Sequence, residues 1–177
     1  MKKLLPILFL LAHFSIIVAQ EKLIDKFPQD NGKVTYTNVI SVDSSIKKDL
    51  YVKAKRWFVN TYNSGKDVIQ IDDKENGEII GKGYFQEYMK VALGGHNVSV
   101  WHTIRVQSKD GRYKYTINNI ILKEEIPGNN SEYSIEEFCN FRRDKQLVKL
   151  MEDINARFNQ LILSLNTNMK KTNHDIW

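Results

Sequence analysis

The chain has 177 residues, 42% of them hydrophobic and 27% charged. That is long enough for one domain with its own core, and too apolar for disorder throughout. The formal net charge is +5, and a single cysteine excludes an intrachain disulfide.

Residues 1–19 read as a secretory signal peptide. Lys2 and Lys3 open it, an apolar run from Leu4 to Val18 follows, and Ala19 precedes the polar Gln20-Glu21-Lys22. The apolar run is short of the roughly 20 residues of a membrane span. No stable membrane span is therefore expected after cleavage, and the protein is expected to be exported, periplasmic or extracellular. Cleavage would leave 24 basic against 21 acidic residues, so +5 becomes +3. Export and so weak a charge both oppose a nucleic-acid partner. Cys139, between Phe138 and Phe141, reads as a small buried hydrophobe.

Residues 20–31, with Pro28, are expected to form a leader strand or loop. From Gly32 the pattern becomes regular. Val34, Tyr36, Ile40 and Val42 share one strand face, opposite Thr35, Thr37 and Ser41, and Asn38 marks a candidate bulge. Asp43-Ser44-Ser45 offers helix caps. Ile46, Leu50, Ala54, Trp57, Phe58 and Tyr62 then fall at helical spacing, until Asn63-Ser64-Gly65.

Two hairpins follow. The first runs from Asp67 to Asp73, turns through Lys74 to Gly77, and returns to Tyr88, with a break at Leu93-Gly94-Gly95. The second runs from Asn97 to Ser108, turns at Lys109-Asp110-Gly111, and returns from Arg112 to Lys123. After a loop at Pro127 to Ser131, Ser134 and Glu137 form a capping box, with Tyr133 and Phe138 placed as a staple. Arg142 to Gln146 is polar and admits a kink or break. Leu147, Leu150, Met151, Ile154, Phe158, Leu161, Ile162 and Leu165 then form a helical stripe, and residues 166–177 read as a frayed polar tail. One α+β domain over residues 32–165 is expected, an antiparallel sheet with helices on one face.

Lys48-Asp49-Leu50-Tyr51, Ala54 and Trp57-Phe58 lead into Asp72-Asp73-Lys74-Glu75-Asn76-Gly77-Glu78-Ile79-Ile80-Gly81-Lys82-Gly83. Over about residues 30–125 this resembles an uncharacterised family of exported bacterial proteins, a domain of unknown function with a TBP-like fold, after the TATA-binding protein. The resemblance implies a β-α-β-β-β-β-α order. It implies no activity and carries no catalytic or binding residues.

The side chains give little sign of catalysis. Asp72, Asn76 and Gly77 match three positions of a calcium loop, but Lys74 and Gly83 stand where ligands are needed. His96 and His102 share a strand face about 20 Å apart, too far to hold one ion. His102, between Val100 and Ile104, reads as a core histidine. Gly81-Lys82-Gly83 is too short for a nucleotide loop and fits a strand that a helix approaches closely. Asp72-Asp73 and Glu124-Glu125 are adjacent pairs, which a strand sends to opposite faces. No catalytic residue, metal ligand or cofactor is assigned.

The open sheet face is the remaining candidate. Alternation turns Lys82, Tyr84, Trp101, Arg105 and Lys114 away from the helices. Aromatics with Arg are the residue types that dominate contact energies at interfaces. The leading expectation is a non-catalytic exported domain that binds a protein or envelope polymer there. One alternative is a small hydrolase or lyase with its site near His96, taken as an exposed titratable group beside a glycine loop. Another is a structural subunit of an envelope assembly, which leaves a homo-oligomer open.

Overall fold

Alternation over three long strands sets the architecture of this computed structural model, which describes residues 22–62, 65–91, 94–128, 131–141 and 145–171. A 3-10 turn, Leu23–Lys26, leads into a short hairpin of β1 (Gln29–Asp30) and β2 (Lys33–Val34). Then come β3 (Tyr36–Ser41), α1 (Lys47–Thr61), α2 (Gly65–Val68) and β4 (Ile69–Asp73). The long strands β5 (Glu78–Val91), β6 (Gly94–Lys109) and β7 (Arg112–Glu124) follow, then β8 (Glu132–Ser134), α3 (Ile135–Phe141) and α4 (Lys145–Lys170). The main sheet is antiparallel with order β3-β7-β6-β5-β4, and β8 pairs with the end of β7. The chain order is the expected strand, helix, four strands, helix, with short elements added.

Binary patterning explains which face is covered. Ile79 in β5, Val100, Ile104 and Val106 in β6, and Ile117 and Leu122 in β7 are buried on the face that the helices cover, with α1 and α4 on β5, α1 on β6, and α1 and α3 on β7. From α1 come Leu50, Trp57 and Phe58, all buried; each contributes about 1.5–3 kcal/mol by leaving water. Polar residues of α4 are tied to the sheet and to α1. Asn155 and Asn166 accept from the hydroxyls of Tyr36 (2.8 Å) and Tyr113 (2.5 Å), and Ser164 accepts from Trp57 Nε1 (3.1 Å).

Several boundaries differ from the sequence expectation. The stretch read as a leader is partly regular, and Leu23 and Phe27 belong to the core. Asn38 makes no bulge, because β3 pairs with β7 without interruption. The shift lies in β7, where Asn119 takes a positive φ of 51°. Asn tolerates that conformation better than most residues. Residues 166–170, expected to fray, continue α4: Met169 is buried and Asn168 donates to the Lys53 carbonyl at 2.8 Å. Asp43-Ser44-Ser45 does not cap α1. Asp110, in the turn between β6 and β7, accepts from the Lys47 amide at 2.6 Å instead. Gly94 and Gly95 do not break the chain but open β6, paired with Val91 and Lys90.

The capping box is present. Glu137 accepts from the Ser134 amide at 2.9 Å, the Glu137 amide donates to Ser134 Oγ at 3.2 Å, and Tyr133 and Phe138 lie 5.9 Å apart. The signal peptide expected at residues 1–19, the stop expected at Asn63-Ser64, Leu93, part of the loop before Ser131, the polar stretch 142–144 and the end of the tail lie outside the described residues.

Gly81 and Gly83 let α1 approach the sheet. A Cβ on Gly81 would stand 2.5 Å from the Phe58 ring, and one on Gly83 would overlap the Tyr62 ring. Gly83→Ala is therefore expected to cost about 1–3 kcal/mol through overpacking. Urea unfolding checks this, and an unchanged midpoint would contradict it.

Candidate functional site

Strand register sorts the open-face residues into rows. Tyr84 pairs with Trp101, Lys82 with Thr103, Ile80 with Arg105, and Glu78 with Gln107, which pairs onward with Lys114. Tyr84 and Trp101 stack with ring centroids 4.6 Å apart. Lys82 Nζ lies 5.9 Å from the Trp101 ring centre. A fourth member, Lys123, lies 5.3 Å from the same ring and forms an ion pair with Glu132.

Sequence alternation missed Lys123 for a definite reason. Counting in twos from Tyr113 sends residue 123 toward the helices, but the bulge at Asn119 adds a residue and reverses every later side chain. The paired Asn118-Asn119 inside an otherwise apolar strand was the available signal. Arg105 lies one row beyond Lys82 and is held by Glu78 at 3.6 Å. Lys114 faces the same way but sits opposite Gln107, about 20 Å along β6 from Trp101. The structure thus gathers Lys82, Tyr84 and Trp101, sets Arg105 beside them, and leaves Lys114 apart.

Polar groups brace one end of this cluster. Ser99 Oγ and Gln86 Nε2 both donate to Glu125 Oε1, at 2.5 and 2.7 Å. The Ser99 and Gln86 hydrogen bonds hold the Glu125 carboxyl below the usual carboxylate range.

At the sheet edge the face meets a cavity of about 820 Å³. It exists because β4 is short. β4 is paired with β5 only as far as Gly81, so beyond that point β5 has one neighbour strand among the described residues. The end of α1 (Thr61, Tyr62) and α4 (Arg157, Leu161) wall the cavity, while Lys82, Tyr84 and Trp101 carry it round to the open face.

His102 forms part of its floor and is fully buried. Its Nδ1 lies 3.1 Å from the Val100 carbonyl, which can only accept, so Nδ1 carries the proton. Nε2 is then an acceptor for the Tyr62 hydroxyl at 2.9 Å. Burial pulls His102 down to about 4 and raises the Tyr62 phenol above its ordinary value. The pair is neutral near pH 7. Such an imidazole is a weak base and such a phenol a poor nucleophile, so the dyad anchors Tyr62 over Gly83.

The family described as a domain of unknown function (DUF4468) with TBP-like fold matches residues 36–123. These residues belong to the DUF4468 family. A crystal structure of a DUF4468 family protein from Bacteroides ovatus superposes with a TM-score of 0.69 at 16% identity, covering 85% of this chain and 94% of that one. A TBP-like protein from Parabacteroides distasonis gives 0.61 at 17% identity, over 80% and 97% of the two chains. At those identities the likeness establishes the fold alone. No curated protein matches.

Outside the open face, several chemistry-bearing groups of the DUF4468 domain are engaged with one another. His96, expected to be exposed beside a glycine loop, has a side chain only 14% exposed and lies 3.3 Å from Glu124. It opposes Met89 within the β5–β6 ladder and does not line the edge cavity. Asp72 takes hydrogen bonds from Tyr51 and from Lys55, the latter at 2.5 Å. Asp73 accepts from the Asn76 amide at 2.9 Å. In the flanking α3, Cys139 is buried against Met151, and burial pushes its thiol up to about 12.

Proposed function

We propose that the protein is a non-catalytic interaction domain of the exported compartment, periplasmic or extracellular, which takes a protein or envelope polymer on the open face of its sheet. One observation carries this reading. Trp101 lies stacked on Tyr84, with Lys82 and Lys123 over its ring, on the side of the sheet away from α1 and α4. Tyr84 is 49% exposed there. Stacked aromatics flanked by cations offer a large apolar contact with little side-chain entropy to lose, and such residues dominate binding energies.

Trp101→Ala is expected to weaken retention of partners from envelope extract by about tenfold or more, the loss typical of a central aromatic anchor. Quantitative pull-down checks this, with near-ultraviolet circular dichroism confirming the fold. Equal retention by a folded Trp101→Ala protein would overturn the reading.

A further inference from the structure

We infer that the partner enters as an added strand: an extended, acidic polypeptide segment pairs with the free edge of β5 from Tyr84 to Tyr88 and fills the edge cavity. This deepens the proposed function and rests on it, since the incoming strand would lie against the Tyr84–Trp101 stack.

The orientation of the edge backbone follows from one hydrogen bond. The Ser108 amide donates to the Gly77 carbonyl at 2.8 Å, so Ser108 points its backbone toward the β5 side of β6. In an antiparallel sheet, successive residues of an inner strand turn their N–H and C=O groups alternately to either neighbour. Val98, Val100, His102 and Ile104 therefore bond to β5, through their register partners Glu87, Phe85, Gly83 and Gly81. The pairing runs without a shift over the whole ladder. The intervening residues Lys82, Tyr84, Gln86 and Tyr88 must then turn N–H and C=O to the other side. There β4 ends with the pair Ile69–Gly81; because Gly81 turns to β6, that pair is closed by its flanking residues, Val68 with Lys82, so the edge is open from Tyr84 onward among the described residues.

A row of donors and acceptors at strand spacing selects a polypeptide backbone over a sugar or a nucleic acid. The cavity gives such a segment room. Its volume of about 820 Å³ runs between this edge and the ends of α1 and α4. Side chains of an added strand alternate between the open face, beside Lys82 and Trp101, and the inner side, beside Tyr62 and Arg157.

Charge decides the kind of segment. Lys82 lies over Trp101, and Arg157 lies 5.9 Å from the Phe85 ring centre. Neither is in a salt bridge among the described residues, whereas Glu78 and Glu132 on the same face are paired with Arg105 and Lys123. Asp67 at the wall and Glu87 near Arg157 offset part of this positive charge. The two cations still stand at opposite sides of the opening, so carboxylates on both faces of the strand are favoured.

The test uses the whole protein and two synthetic octapeptides, one repeating Glu-Glu-Val-Val, the other repeating Lys-Lys-Val-Val, so that both faces of the extended strand carry charge. Amide hydrogen exchange is followed by NMR at Tyr84, Gln86 and Tyr88. With the acidic peptide in excess, exchange at these three is expected to slow by about tenfold or more, while Gly83 and Phe85, already bonded to β6, change little. The basic peptide at equal concentration is expected to leave all five unchanged. Equal effects of the two peptides, or no slowing with the acidic one, would overturn the inference. If Trp101→Ala still weakens partner retention while the three amides stay unprotected, the face reading stands and the added strand falls.

Discussion

Phe158→Ala is expected to destabilise the protein by about 3–5 kcal/mol, the range for removing a fully buried ring. Phe158 is 0% exposed, and its ring lies 5.1 Å from Tyr36, 5.1 Å from Phe85 and 5.2 Å from His102. These three neighbours come from β3, β5 and β6, so one side chain of α4 locks the helix onto strands across the sheet. The vacated space cannot be refilled cheaply. Tyr36 is tied to Asn155 and His102 is bonded to Tyr62 and Val100, which fixes two of the three rings that would have to move. Urea unfolding with an unchanged m-value measures the loss. A change below about 1 kcal/mol would mean that α4 is not seated as described.

The second large effect is acid sensitivity from His102. Its pKa falls from 6.5 to about 4 on folding, because burial penalises the charged form. The unfolded chain therefore binds more protons between those values. Stability is fully present above pH 6.5 and is lost as the pH falls through about 4. The linked loss is about 3 kcal/mol. Carboxylates held low, such as Asp72, Asp73 and Glu125, lose their contributions in more acidic solution, below the ordinary carboxylate range. His102→Gln separates the two, since an amide can still accept from Tyr62 and does not titrate. Between pH 7 and pH 4 the wild type is expected to lose about 3 kcal/mol more than His102→Gln. Parallel stability curves for the two proteins would show that His102 is not buried neutral.

Much of this fold is legible in the sequence because its strands are long. Over Glu78–Val91 and Gly94–Lys109 the period of two persists, so a misplaced boundary does not change which face a residue takes. That is why Trp101 and Arg105 fall on the open face by counting alone. The capping box before α3 was legible because its four residues are adjacent. Features made by distant residues were not. The α1 cap comes from Asp110, 63 positions away, and local Asp43 and Ser45 were the more obvious choices. The last turn of α4 reads as a polar tail, since what holds Asn168 there is the Lys53 carbonyl.

The candidate site shows the same division. Lys82, Tyr84 and Trp101 follow from alternation and hairpin register. Lys123 does not, because one residue at positive φ reverses the parity of the rest of β7. Lys114 fails for the opposite reason: its parity is right, but parity says nothing of distance along a strand. The edge cavity was hidden because it depends on where β4 stops and on how α4 lies beyond it. His96 looked free in the sequence because Glu124, its partner, is 28 residues away.

Oxidative footprinting of the protein, free and with its captured partner, tests the central claim most directly. Trp101 and Tyr84 are expected to be modified readily in the free protein and shielded in the complex, while Leu163, 66% exposed on α4, reacts equally in both. Shielding of Leu163 with Trp101 and Tyr84 still fully reactive would place the partner on the helices and contradict the account.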